Sequence, residues 1–239
     1  MNRWKASAVH LLLSLLLIGG IALTALHTWF PFGLYRVAAP DRLLYVMWGI
    51  DLVAGPLLTL VVYKAGKPSL RFDLTVIAIL QLAFLSYGLH TLWVSRPVFL
   101  VAMPMRMSLV FANEIEPSEL AKANKEEWRR LSWSGPTLVG ALAPKNDQER
   151  QDLLFATLQS GVDLDKMPSR YVEFSESAPA LLAVARHVEL AESERAGLKQ
   201  QVKEVVLVTT RANGVMWLDA SSGMPVAAWP GTRRNVSRR

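Results

Sequence analysis

A single acidic residue interrupts a long apolar run, and a Gly-Pro pair follows one turn later. The stretch DLVAGPLLTL begins at Asp51 and places Gly55 and Pro56 directly after it. A charged side chain near the centre of a bilayer is costly and is a functional-site hypothesis by default. A proline inside a helix removes one N–H donor and clashes with the carbonyl four residues earlier, here that of Leu52. Both features are unfavourable, so we expect each to have a structural or functional reason.

Two interpretations of Asp51 follow from its neighbours. In the first, the carboxylate fixes packing inside a helical bundle, where Gln81, Ser86 or Tyr87 at a similar depth donates a hydrogen bond to it. In the second, it faces a cationic group that enters sideways from the lipid, because no Lys or Arg lies inside the apolar segments to neutralise it. In both, Gly55 lets a neighbouring helix approach closely.

Three apolar segments surround this motif, at residues 6–30, 43–63 and 74–95. Each has about 20 residues or more, which suffices to cross a hydrocarbon core of roughly 30 Å. A cleaved signal peptide is the alternative for the first segment, but its apolar core is longer than is usual for such peptides. We expect three uncleaved transmembrane helices in residues 1–95.

Cations that flank these segments predict the orientation. Arg3 and Lys5 precede the first segment, and Lys64, Lys67 and Arg71 lie in the short loop between the second and third. The positive-inside rule places both regions in the cytoplasm. With three crossings, the N-terminus is cytoplasmic and the part after Arg96 is periplasmic, in a bacterial inner membrane.

Residues 96–230 have the composition of a soluble domain. Without the arginines of the last seven residues this half is slightly acidic, which is unfavourable for nucleic-acid binding. The chain has no cysteine, which excludes disulfides and thiol chemistry. We predict a small α+β domain that ends in an antiparallel β meander, followed by a basic, disordered tail at 231–239.

Local patterns predict the elements of this domain. Two short strands flank Pro104, and helices are expected at 118–131, at 146–160 with an N-terminal cap and Gly161 as stop, and from about Pro179 onwards. Three strands follow within 204–210, 215–219 and 225–229, with an Asn213-Gly214 type I′ turn between the first two and a Ser221-Ser222-Gly223 turn after the second.

Motifs of known enzymes are missing from the sequence. It has no P-loop, GxGxxG, HExxH or GxSxG pattern. His27 and His90 both fall near the expected periplasmic face, but no third ligand is indicated, and interfacial polar residues explain them better than a metal site. We therefore expect no enzymatic activity, no cofactor and no metal.

The region from Gly49 to Val101 resembles the hallmark region of the type IV pilin accessory proteins of the TfpX/TfpZ kind. The shared pattern is an Asp, then Gly-Pro-Leu-Leu-Thr-Leu, a basic loop, Phe-Asp-Leu, Gln-Leu and Arg-Pro-Val. The later half is similar more loosely. The matching positions are Asp51, Gly55, Pro56, Leu57, Leu58, Thr59, Lys67, Asp73, Gln81, Arg96 and Pro97.

This resemblance implies an inner-membrane chaperone that binds and stabilises a cognate type IV pilin before pilus assembly. A pilin in the bilayer has a long apolar N-terminal helix whose mature end bears an α-ammonium. The hypothesis is that Asp51 pairs with this ammonium and that the periplasmic domain contacts the pilin head. The residues assigned to pilin binding are Asp51, Gly55, Pro56, Thr59, Gln81 and Tyr87.

Two other classes of function compete with this one. A membrane-anchored enzyme would need convergent titratable groups at the membrane face. A transporter subunit would use Asp51 in an ion path, but three helices with one acid are too few to line a pore without oligomerisation.

Overall fold

The chain forms two compact units in a computed structural model, which describes residues 2–38, 45, 48–142, 144, 146–188 and 201–231. The first unit comprises Met1–His27 and Pro40–Ser95, and the second comprises Thr28–Ala39 and Arg96–Arg239. The second unit thus includes the segment after the first apolar helix as well as the chain from Arg96 onwards. The predicted tail lies outside the described residues from 232 onwards.

The first unit is helical. Its elements are α1 (Arg3–Trp29), whose last two residues belong to the second unit, a π-helical stretch (Ile50–Ala54) that continues into α3 (Gly55–Val62), and α4 (Leu70–Val94). Two of these helices, α1 and α4, are long and apolar enough to cross a membrane. Four residues of the predicted second span, 43, 44, 46 and 47, lie outside the described residues.

The second unit is built on a mixed β-sheet. Its strands are β1 (Pro97–Ala102), β2 (Met107–Phe111), β3 (Thr137–Ala141), β4 (Tyr171–Val172), β5 (Arg186–His187), β6 (Val202–Val208), β7 (Asn213–Asp219) and β8 (Pro225–Pro230). Its strand order is β4-β3-β1-β2-β6-β7-β8, with β5 paired to β6. The pairs β1–β3 and β2–β6 are parallel, and the other pairs are antiparallel. The antiparallel meander β6-β7-β8 was predicted and is confirmed.

Short helices and 3₁₀ turns cover the sheet. The predicted helix at 146–160 is confirmed, since the Asn146 side chain accepts a hydrogen bond from the Glu149 N–H and Gly161 ends the helix with a φ of 69°. The helices are α2 (Tyr35–Ala38), α5 (Pro117–Leu120), α6 (Asp147–Ser160) and α7 (Phe174–Val184), and the 3₁₀ turns are Pro31–Gly33, Ala112–Glu114, Glu126–Arg129, Leu164–Lys166 and Pro168–Arg170.

Two predicted helices of this unit were wrong in extent. The helix expected at 118–131 is a single turn, Pro117–Leu120, and Asn124, four residues beyond its end, donates its side-chain amide to the carbonyls of Ser169 and Tyr171. The helix expected from Pro179 begins five residues earlier, at Phe174, and ends at Val184, before β5. The rest of that prediction, from 189 to 200, lies outside the described residues.

The predicted Asn213-Gly214 turn is also wrong. Both residues belong to β7, where Asn213 pairs with Val208 and Gly214 pairs with Leu207. The chain reverses earlier, because the Thr209 hydroxyl accepts hydrogen bonds from the N–H groups of Arg211 and Ala212. The second turn is as predicted: Asp219 accepts from the N–H groups of Ser221 and Ser222, and Gly223 has a φ of 74°.

Residues 28–38, which we call the 28–38 segment, are part of the core of the second unit. Leu34 and Val37 are fully buried in the same apolar cluster as the inner face of the sheet. The Arg36 guanidinium lies over the Trp229 ring, 4.2 Å from its centroid. Gly214 lets this segment approach, because a Cβ there would lie 2.9 Å from Val37.

Candidate functional site

The backbone around Asp51 departs from the α-helix that the sequence predicted. Ile50–Ala54 form a π-helical turn, in which each carbonyl is directed to the N–H five residues later. The carbonyl of Asp51 is therefore directed to Pro56, which has no N–H. In an α-helix the carbonyl opposite Pro56 would be that of Leu52 instead.

Gln81 on α4 replaces the missing donor. Its side-chain Nε2 donates to the Asp51 carbonyl oxygen at 3.3 Å. The sequence predicted that Gln81 could hydrogen-bond the Asp51 carboxylate, but the described contact is with the main chain. In a site without water, an unpaired backbone carbonyl is unfavourable, so this contact compensates for Pro56.

Gly55 makes room for Gln81. A Cβ at Gly55 would lie 2.0 Å from Gln81 Nε2 and 2.7 Å from Gln81 Cδ, so only glycine leaves the amide where it is. Asp51, Gly55, Pro56 and Gln81 thus form one packed arrangement, as the close approach predicted at Gly55 requires.

Two hydrogen bonds join α1 to α3. The Ser7 hydroxyl donates to the Pro56 carbonyl at 2.8 Å. His10 Nδ1 and the buried Thr59 hydroxyl lie 2.6 Å apart, also in a hydrogen bond. Sequence reasoning missed Ser7 and His10, although polar residues at helical spacing on one face of an otherwise apolar helix are a usable signal.

The Asp51 side chain lies at the wall of a cavity of about 310 Å³, which we call the Asp51 cavity. Asp51 is 5% exposed, and its Oδ1 has no hydrogen-bond partner among the described residues. The lining is mainly aliphatic and comes from α1 and α4 as well as the π-helical stretch: His10, Leu13, Ser14, Leu17, Ile18, Asp51, Ala78, Gln81, Leu82 and Leu85.

This arrangement can accept a cationic or hydrogen-bond-donating group that is attached to an apolar body. A carboxylate oxygen that is buried without a donor is unfavourable, and a charged donor in the cavity would stabilise it. Within the described part of the chain, no cluster of three His, Asp or Glu residues could hold a metal ion.

Other residues of the sequence motif lie outside this cavity. Tyr87 is exposed on α4 and does not line it, in contrast to the predicted contact with Asp51. Lys67 forms an ion pair with Asp73 at 2.5 Å, where the loop before α4 meets the helix. Arg96 donates from Nε to the Ser132 carbonyl in the second unit, and Pro97 begins β1.

Comparisons with known proteins point to one process. The chain is 28% identical to the fimbrial assembly protein of serogroup I from Dichelobacter nodosus over 76% of this chain and 71% of that protein. It is 26% identical to the serogroup E1 protein over 87% and 81%, and 29% identical to that of serogroups C1 and C2 over 50% and 92%. No protein-family model and no solved structure matches the chain. Its similarity to proteins named for fimbrial assembly supports a role in fimbrial biogenesis.

Proposed function

We propose that this chain is a non-enzymatic accessory protein of the bacterial inner membrane, which binds and stabilises a cognate type IV pilin before pilus assembly. The observation that carries the proposal is the Asp51 cavity, a mainly aliphatic cavity whose wall includes Asp51, and the Oδ1 of this buried side chain has no donor among the described residues. The similarity to fimbrial assembly proteins, and the resemblance of the Asp51 motif to pilin accessory proteins, favour a pilin as the occupant.

The occupant would be the N-terminal part of the pilin transmembrane helix. Its α-ammonium would pair with Asp51, and its aliphatic side chains would pack against Leu13, Leu17 and Leu82 of the cavity. Such a pair joins a charge-assisted hydrogen bond to apolar packing, which suits a subunit held in the bilayer until assembly. The second unit would contact the pilin head and determine which pilin is bound.

A topological argument supports three crossings. The 28–38 segment follows α1 and is buried in the same unit as the strands after Arg96. The end of α1 and the chain after α4 therefore lie on the same side of the membrane, and residues 39–95 begin and end on that side. If α4 crosses once on the return, residues 39–69 must cross once on the way out, as expected for the span at 43–63.

Substitution of Asp51 tests the proposal directly. We expect Asp51→Asn to lower the pilin that co-purifies from detergent-solubilised membranes by about tenfold or more, because a hydrogen bond to a charged group contributes roughly 1.5–3 kcal/mol. Asp51→Glu, which keeps the charge, should retain part of the binding. The measurement is quantitative mass spectrometry of pilin bound to the tagged protein.

Leu82→Ala serves as the packing control, since Leu82 lines the cavity but carries no charge. It should weaken capture less than Asp51→Asn does. Wild-type amounts of pilin with Asp51→Asn, at wild-type abundance of the variant in the membrane, would contradict the charge pairing.

A further inference from the structure

A short loop of the second unit, Ser132–Gly135, accepts hydrogen bonds from Trp29, the last residue of α1, and from Arg96, which follows α4 closely. The Trp29 indole N–H donates to the Trp133 carbonyl at 2.8 Å, and Trp29 is the last residue of α1. Arg96 Nε donates to the Ser132 carbonyl at 3.0 Å, two residues after the end of α4. Gly135, with a φ of 107°, allows the approach, because a Cβ there would lie 2.6 Å from the Thr28 carbonyl oxygen.

These contacts determine the depth of the loop if α1 and α4 cross a bilayer. The two helices have 27 and 25 residues, so each is roughly 40 Å long at 1.5 Å per residue. That length matches a bilayer with its headgroup regions, about 40–45 Å. The ends of both helices then lie in the headgroup region, and a loop within hydrogen-bond distance of Trp29 and Arg96 lies there too.

The side chain of Trp133 suits this environment and not water. It is 76% exposed, whereas Trp128 and Trp217 of the same unit are buried. An indole has a large apolar surface and one N–H, and tryptophans are enriched where a membrane meets water.

We propose that Ser132–Gly135 is a membrane-interface anchor, in which the Trp133 indole packs among phospholipid headgroups and the adjoining acyl carbons. The partner is the lipid interface, and the anchor would act whether or not a pilin is bound. It needs the membrane placement of α1 and α4 but not the role proposed for Asp51.

The absence of cysteine from the chain permits a direct test. Ser134→Cys is exposed and beside Trp133, so a single nitrobenzoxadiazole probe can be attached there with the indole intact. In vesicles of phosphatidylethanolamine and phosphatidylglycerol, we expect strong quenching by lipids that carry a nitroxide near the headgroup and weak quenching by aqueous iodide. Adding Trp133→Ser should lower the lipid quenching several-fold.

Met105→Cys is the matched control, because Met105 is also 76% exposed. It lies in the loop between β1 and β2, with no aromatic residue beside it in the sequence. We expect its probe to be quenched mainly by iodide. Quenching at residue 134 that is dominated by iodide, or that does not change with Trp133→Ser, would overturn the proposal.

Discussion

The two units of this protein differ in where their large apolar side chains lie. In the sheet unit the largest fully buried side chains are mostly apolar, among them Phe99, Leu100 and Phe111, although small polar side chains such as Ser108 are buried too. In the helical unit the long apolar side chains point outwards, as Leu16 does at 64% exposure, and the polar Asp51 and Thr59 are buried. The surroundings that favour the first pattern are water, and those that favour the second are lipid.

A buried residue therefore has a different meaning in each unit. Burial of apolar surface holds the sheet unit together, so a buried apolar residue there is explained by packing. In lipid the same apolar residues gain little by burial, and polar contacts and close packing join the helices. A buried polar residue such as Asp51 therefore needs a partner, within the chain or outside it.

The largest effect is expected when the sheet unit loses the 28–38 segment. Leu34→Asp places a carboxylate in the apolar core, and we expect a loss of stability on the order of 5 kcal/mol, enough to unfold this unit. Protease resistance of the sheet unit in detergent measures it. Val206→Asp, on half-exposed β6, is the control and should leave the unit folded. A folded Leu34→Asp unit would show that the 28–38 segment is not part of the core.

The same substitution on the outer face of α1 tests the other half of the comparison. If α1 crosses the membrane as proposed, Leu16→Asp should disfavour membrane insertion by about 3 kcal/mol, because an aspartate replaces an exposed leucine of this helix. The measurement is the fraction of protein that stays in the membrane after carbonate extraction. If Leu16→Asp behaves like Val206→Asp, then α1 faces water and the comparison fails.

A smaller effect is expected between two helical glycines of the first unit. Gly49 and Gly55 both have helical backbone angles, but only at Gly55 would a methyl group meet a side chain, that of Gln81. Gly49→Ala should stabilise by up to about 1 kcal/mol through helix propensity. Gly55→Ala should lack this gain, because it displaces the amide from the Asp51 carbonyl. Thermal unfolding in detergent compares them, and equal gains would exclude a tight Gly55–Gln81 contact.

The smallest effect concerns the turn between β7 and β8. Hydrogen bonds from Ser221 and Ser222 lower the pKa of Asp219 to about 2. The contribution of the carboxylate to stability is therefore complete above its unfolded pKa of about 4 and is lost as the pH falls towards 2. Urea midpoints between pH 2 and 5 should fall less steeply for Asp219→Asn than for wild type. Equal slopes for Asp219→Asn and wild type would exclude these hydrogen bonds as a source of the pH dependence.

Local signals predicted the elements whose determinants are close in sequence. The Asn146 cap and the Gly161 stop define α6, and Asp219 with two serines defines the last turn. Prediction was wrong where a distant contact outweighed a local preference. Asn124, which the pattern placed in a helix, donates instead to carbonyls more than 40 residues away, and Gly214 allows the approach of Val37 and does not form a turn.

The candidate site divides in the same way. The sequence by itself determined that Asp51, Gly55 and Pro56 would lie in an apolar helix, since composition and spacing suffice for that. Only the tertiary structure decided that Gln81 would serve the Asp51 carbonyl, that Ser7 and His10 would join α1 to α3, and that the 28–38 segment would enter the sheet core. The physical reason is that hydrogen-bond donors and apolar surfaces are satisfied in space, by groups that chain order does not bring together.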